Sequence, residues 1–224
     1  QKMNVEIIVV DDCSNDNTVE IAQKYCCKVI KHTNPMGQVI GKNNGIKSAK
    51  GKYILFHDHD DIMRNGSLKE LYNEISSDET ISAVEAKIQD FYSPEMTEEE
   101  REKTQIKKEP YWGLFTGAIL MRKSIFDKIG LFNENIRAGE IIDWQSKMDI
   151  NGLKIKKTDF VSADRRIHKT NFGLTNRNKE FKDYAAIVGA GSISIGAMLG
   201  APAGYGPRLM NYQNYAHNYA MQYV

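Results

Sequence analysis

The stretch "KYILFHDHDD", Lys52 to Asp61, decides how the rest of this chain is read. Four apolar residues, Tyr53 to Phe56, run straight toward Asp58, Asp60 and Asp61. A short apolar run without alternation suits a strand buried on both faces of a parallel sheet. Its polar end then lies at the carboxyl edge, where open α/β sheets bind their ligands. Hard divalent ions such as Mg²⁺ or Mn²⁺ prefer carboxylate oxygens, and often take one or two of them together with substrate phosphates. On an extended backbone residues i and i+2 face the same side, so Asp58 and Asp60 can converge on one metal–diphosphate unit. The D-x-D spacing alone also describes a surface turn. It carries more weight here because an apolar strand precedes it and a helix-periodic segment follows.

The neighbouring segments repeat the pattern. "VEIIVVDD" (Val5 to Asp12) is a second apolar run ending in acids, and "CKVIKHT" (Cys27 to Thr33) a third strand. Between them "SNDNTVEIAQKY" reads as a helix, with Asn17 and Glu20 in capping-box spacing. "IGKNNGIKSAK" (Ile40 to Lys50) is a helix closed by Gly51, "GSLKELYNEISS" (Gly66 to Ser77) another, and "ISAVEAKIQDFY" (Ile81 to Tyr92) a strand. Strands alternating with helices predict an α/β domain with a mainly parallel central sheet. The charge run from Ser93 to Pro110 reads as a solvated loop or exposed helix. Tyr111 to Phe132 turns apolar again. Ala138 to Ile155 reads as a loop, a helix, a Gly turn and a strand, and Val161 to Thr175 as a polar loop.

Bulk numbers exclude several classes. The 224 residues are enough for one sizeable core, and 30 basic against 29 acidic residues argue against a nucleic-acid binder. No apolar run reaches the roughly 18 residues of a membrane span, and no signal peptide is visible. Three cysteines, two of them adjacent, predict free thiols and a cytoplasmic setting.

"EIIVVDDCSNDNTVEIAQKY" followed by "GKNNGIKSAKGKYILFHDHDDIM" closely resembles the nucleotide-binding half of family 2 glycosyltransferases of the GT-A fold. "FTGAILMRKSIFDKIGLFNENI" is similar to that family's acceptor-side segment and "GEIIDW" to its acidic motif. The resemblance covers roughly Val5 to Phe181. It implies a single domain, with a nucleotide-binding part at 1–92 and an acceptor part at 111–181. It implies transfer of a sugar, with inversion, from a nucleotide-diphosphate donor such as a UDP-sugar to a hydroxyl of a glycan, lipid-linked or peptide acceptor.

Residue roles follow from the same resemblance. Asp12 matches the contact to the base, with Asp11 beside it, and Lys42 stands near the nucleotide where the family often has Arg. Asp58 matches the ribose carboxylate and Asp60 the ligand of Mn²⁺ or Mg²⁺. In "GEIIDW" Ile141 replaces an expected second acid. Glu140 is then the candidate general base, with Asp143, three residues on and on the same helix face, in reserve. "RRIHKTNFG" offers Arg166 and Lys169 to the diphosphate and His168 to the metal or a phosphate, although a lone His is more often a packing residue. Trp112, Trp144 and Tyr111 could stack on a sugar, with core packing the default. The alternative to an enzyme is a protein that keeps the nucleotide site without turnover.

The resemblance also implies a strand and a helix ahead of "VEIIVV". The closing stretch from Gly189, which has one Arg, no Lys and no acid, contains such a pair, "SISIGAML" (Ser192 to Leu199) and "PRLMNYQNYAHNYAMQYV" (Pro207 to Val224). A circular permutation is therefore expected. Residues 192–224 would complete the nucleotide-binding part, Val188 to Gly191 would be the join, and backbone near Ala197 and Met198 would line the base. A fused substrate peptide and a membrane-surface helix are the competing readings of this stretch.

Overall fold

A computed structural model describes residues 3–104, 106–113, 115–136 and 139–171. Strand β1 (Ile8–Asp11), helix α1 (Thr18–Lys24), β2 (Lys28–Lys31), α2 (Gln38–Ser48) and β3 (Tyr53–Leu55) follow the expected order. Then come β4 (Ile62–Met63), α3 (Ser67–Ser76), β5 (Ile81–Tyr92) and α4 (Glu98–Lys103). A 3₁₀ turn at Thr116–Ala118 leads into β6 (Ile119–Arg122), α5 (Ser124–Ile129), α6 (Glu140–Ile150) and β7 (Lys154–Ile167).

The strands form a parallel pair, β1–β2, and a five-stranded sheet ordered β3-β6-β5-β7-β4. In the larger sheet β5 and β7 run parallel, while β3–β6, β5–β6 and β4–β7 are antiparallel. The apolar runs of β3 and β6 are buried by helices, so their sequence does not record strand direction. Among the described residues β1 pairs with β2 alone and β3 with β6 alone.

Period-two alternation sorts the core onto two faces. Ala83, Ile119 and Met121 face Val39 and Ile46 of α2 and Ile141, Trp144 and Met148 of α6. Val84, Ala86 and Leu120 face Leu71 and Ile75 of α3. Trp144 is fully buried, its ring 6.1 Å from Phe126 and 6.2 Å from Phe132. It is a core residue, not a sugar platform.

Three local expectations change. The cationic segment from Val161 is not a loop until after Ile167: it continues β7, with Arg165 opposite Asp90 and Arg166 opposite Phe91. Backbone pairing on both sides overrides its polar composition. Asn17 makes no side-chain cap. Asp16 accepts from Thr18 N at 3.0 Å instead, and Glu20 pairs with Lys24 at 2.8 Å. The capping box lies in the charge run, between Thr97 and Glu100 at the start of α4. Residues 192–224, with Ala197, Met198 and the join at 188–191, lie outside the described residues, as does 172–181. No helix among the described residues is long and apolar enough to cross a membrane.

One buried side chain ties α2 to the segment leading into α6. Asn43, fully buried, donates to Phe132 O and to Glu134 Oε1, both at 2.9 Å, and accepts from Phe132 N at 3.1 Å. Asn43→Ala strands the Phe132 N–H and C=O in a dry site, where each lost partner costs about 1–3 kcal/mol. The expected result is a lower urea midpoint with an unchanged m-value.

Candidate functional site

The loop after β3 carries the acids across to β4, and β7 ends beside it. Asp60 Oδ2 lies 2.8 Å from His168 Nε2, joining residues 108 apart in the chain. Arg166 holds the same loop from the backbone side: its Nε donates to Asp60 O at 2.7 Å and its own N–H to Asp61 Oδ1 at 2.8 Å. The guanidinium also sits 4.9 Å above the Phe91 ring. His168 is fixed in turn, with Nδ1 2.8 Å from Thr170 Oγ1 and its N–H donating to Asn171 Oδ1 at 2.5 Å.

These contacts separate three neighbouring carboxylates. Burial disfavours ionised Asp60, but the His168 hydrogen bond and nearby positive charge outweigh it and hold its carboxyl below the usual range. Burial pushes Asp61 up to about 7, and repulsion from Asp58 and Asp60 adds to the shift against the Arg166 hydrogen bond. Asp58 is half-buried at the start of the cluster. Lys169 points elsewhere, to Glu100 at 3.7 Å, with most of its side chain exposed.

At the end of β1 the two acids differ. Asp11 is buried, with Oδ1 accepting from Ser14 N at 3.1 Å. Its Oδ2 has no hydrogen-bond partner among the described residues. Asp12 accepts from Met36 N at 2.7 Å and Gly37 N at 2.8 Å, and meets His32 Nδ1 at 2.7 Å. Burial opposes its ionisation, yet these hydrogen bonds together lower its pKa.

Helix α6 begins at Glu140, just after Gly139 in the left-handed region at φ 76°. Glu140 is buried and takes Lys42 Nζ on Oε1 at 2.5 Å. Lys42 therefore faces the candidate base, a partner the sequence did not suggest. It also lies 5.9 Å from the Phe56 ring centroid, next to the acidic loop. Asp143 pairs with Lys147 at 2.8 Å along the helix. Ile141 is buried in the main core, so the position of the expected second acid points into apolar packing. Trp112 donates to Thr158 O at 2.9 Å, and Lys87 lies 4.3 Å over its ring.

The sequence motifs do not mark His32, Asn43 or the distinct state of Asp61. A His next to the loop that closes toward "NPMG" offered a weak signal for the first; nothing local marked the others.

The sign of the Asp61 effect is fixed by its raised pKa. Between about pH 4 and 7 the folded chain keeps a proton that the unfolded chain has released, so this group's contribution falls as pH rises through about 7. Asp61→Asn can still accept from Arg166 N. It is expected to match the parent protein in thermal stability below pH 4 and to exceed it at pH 8, as read in melts across that range.

Residues 1–130 match the family model described as glycosyl transferase family 2. Glycosyltransferase GlyG of Streptococcus pneumoniae serotype 4 is 39% identical over 77 residues, 32% of this chain and 26% of its own. An uncharacterized glycosyltransferase of Rickettsia prowazekii, RP339, is 29% identical over 198 residues, 80% of this chain and 61% of its own. The crystal structure of Staphylococcus aureus TarS residues 1–349 in complex with UDP-GlcNAc superposes with a TM-score of 0.60 at 19% identity, covering 82% of this chain and 56% of that one. The chain thus spans less than two thirds of the length of these relatives. It has the GT-A fold and belongs to the family 2 glycosyltransferases.

Proposed function

We propose that this chain transfers a sugar from a UDP-sugar to a hydroxyl acceptor with inversion, using a divalent ion at Asp60. The observation that carries the reading is the 2.8 Å approach of Asp60 Oδ2 and His168 Nε2 at the mouth of the sheet. Two such donors at that separation suit adjacent positions of one octahedral ion, about 2.1 Å from each. Among the described residues no three His, Cys, Asp or Glu side chains form a cation cage. That fits an ion completed by substrate phosphates and water. Mn²⁺ or Mg²⁺ bound there would neutralise charge developing on the leaving diphosphate.

The protein's own groups supply the remaining roles. Arg166 keeps the acidic loop against β7, and Asp12 stands where the base would bind. Glu140 takes the proton as the acceptor oxygen bonds to the anomeric carbon. The bond from that carbon to the diphosphate oxygen breaks, and the nucleoside diphosphate leaves with the electron pair. The UDP-GlcNAc complex of TarS supports a uridine donor. Relatives named poly(ribitol-phosphate) glycosyltransferases support a polyol or glycan hydroxyl as acceptor.

A second reading is a nucleotide-binding protein without turnover. Ile141 in the core and Glu140 already paired with Lys42 favour it. Transfer and hydrolysis of UDP-sugars with Mn²⁺ separate the two: UDP binding with no turnover supports the binder. For the enzyme, Glu140→Gln is expected to lower kcat by about 10²–10⁴, the usual contribution of a general base, while UDP affinity stays within about threefold. Asp60→Asn should weaken UDP binding in Mn²⁺ and leave metal-free binding unchanged. An Asp60→Asn protein with parental metal dependence would remove Asp60 from the ion site.

A further inference from the structure

His32 lies behind Asp12 and belongs to none of the roles above. It follows β2, and its side chain is only 5% exposed. Its backbone is stapled to the end of β1: His32 N donates to Asp11 O at 2.9 Å, and the Cys13 thiol donates to His32 O at 3.3 Å. Its ring spans two elements. Nε2 faces the Asn44 amide nitrogen on α2 at 2.9 Å, and Nδ1 faces Asp12 Oδ1 at 2.7 Å.

Hydrogen-bond capacity assigns the proton. An amide nitrogen only donates, so Nε2 accepts, and the ring N–H sits on Nδ1 and donates to Asp12. Asp12 Oδ1 then holds two donors, His32 and Met36 N, and has no lone pair left. Oδ2 holds Gly37 N and keeps one. With the Asp12 side chain 34% exposed, a ligand can reach the carboxylate.

We infer that His32 is a positioning residue: the Asn44–His32–Asp12 chain aims the one remaining Asp12 lone pair and so selects a base with a ring N–H. The inference rests on Asp12 being the base contact in the proposed function. Uracil presents an N–H between two carbonyls, which a carboxylate lone pair accepts. Cytosine presents a bare ring nitrogen there, which the same lone pair repels. The chain also holds the backbone at Met36 and Gly37, where the entry to α2 turns at φ 89°.

Two variants of the full chain test this. His32→Phe keeps the ring volume and removes both hydrogen bonds. His32→Asn places an amide N–H near the Nδ1 position and restores the donor to Asp12. UDP and CDP affinities are measured by calorimetry, with amide hydrogen exchange at Met36 and Gly37 and at Ala83 to Ile88 in β5 as an internal control. His32→Phe is expected to weaken UDP by about tenfold, reduce UDP-over-CDP preference by a similar factor and deprotect Met36 and Gly37, with β5 unchanged. His32→Asn is expected to recover most of both. Parental affinity and exchange in His32→Phe, or His32→Asn as poor as His32→Phe, would overturn the inference. If β5 exchange also rises in His32→Phe, failure of His32→Asn to restore protection at Met36 and Gly37 counts against it equally. Should the parent chain bind no uridine nucleotide, the proposed donor fails, and the base-selection half of the inference fails with it. The exchange comparison then decides the positioning of Asp12 on its own.

Discussion

Helix α2 must lie against β1 and at the same time hold the entrance to α6, and the rest of the site depends on that double contact. Its inner face is thin where it crosses β1: a Cβ on Gly41 or Gly45 would sit 3.7 Å from the Val10 methyl groups. That is ordinary van der Waals contact, so the helix packs close enough for a methyl group to touch Val10 but leaves no room for a larger side chain. Once it is close, Asn43 reaches Phe132, 89 residues away, and Lys42 reaches Glu140, 98 residues away. The first contact is neutral and fully buried, and it sets the distance. The second is charged, and its geometry follows from the first. A buried ion pair is weak evidence of stability on its own, because desolvation offsets much of its attraction. Here the Asn43 clamp supplies the fixed framework in which the pair can persist.

The second half of the site is built by strand length. β5 and β7 run parallel to Tyr92 and Ile167, well past the end of β3. The chain between β3 and β4 therefore crosses the sheet beside β7, where Arg166 and His168 await it. Polar residues at that edge are held by specific partners. The ring of Phe91 and the Asp60 carbonyl take Arg166, and Thr170 and Asn171 take His168. Asp61 is the exception, a carboxylate whose burial and like-charged neighbours exceed what one backbone N–H returns. The strain is local to the loop that carries the candidate ion ligand.

What could be read from sequence follows from this division. The apolar runs ending in acids are period signals, and β1, β3 and β5 appear where the pattern puts them. The D-H-D-D cluster is likewise local, and so is the helix over Gln38–Ser48. The stretch "VSADRRI" carries no such signal, because its polar residues satisfy partners on β5 and on the segments flanking β4 that no window of sequence contains. Asn43 and His32 are invisible for the same reason. Each matters through a hydrogen bond to a residue at least 12 positions away, and an Asn or His in isolation reads as a surface residue. The Asn17 cap failed in a different way. Asp16, one residue earlier, can accept from Thr18 and took the role that spacing assigned to its neighbour.

The start of α6 shows why an acid next to Glu140 is not needed for the fold and what its absence does to the chemistry. Successive helical residues point about 100° apart, so Glu140 turned toward Lys42 sends Ile141 into the cluster of Ala83, Met121 and Phe132. A carboxylate at that position would be buried among apolar groups without a partner, at a cost of several kcal/mol. The site is left with one inward acid already joined to one cation. In the proposed reaction, protonating Glu140 removes the negative half of that pair and leaves Lys42 uncompensated. At the same moment the departing diphosphate gains negative charge beside the loop that follows Phe56, whose ring Lys42 approaches. In that reaction a lysine beside both the base and the acidic loop would balance the two ends of the transfer, so the ion pair that most resembles an inactive resting state is also the one that would let a single acid suffice.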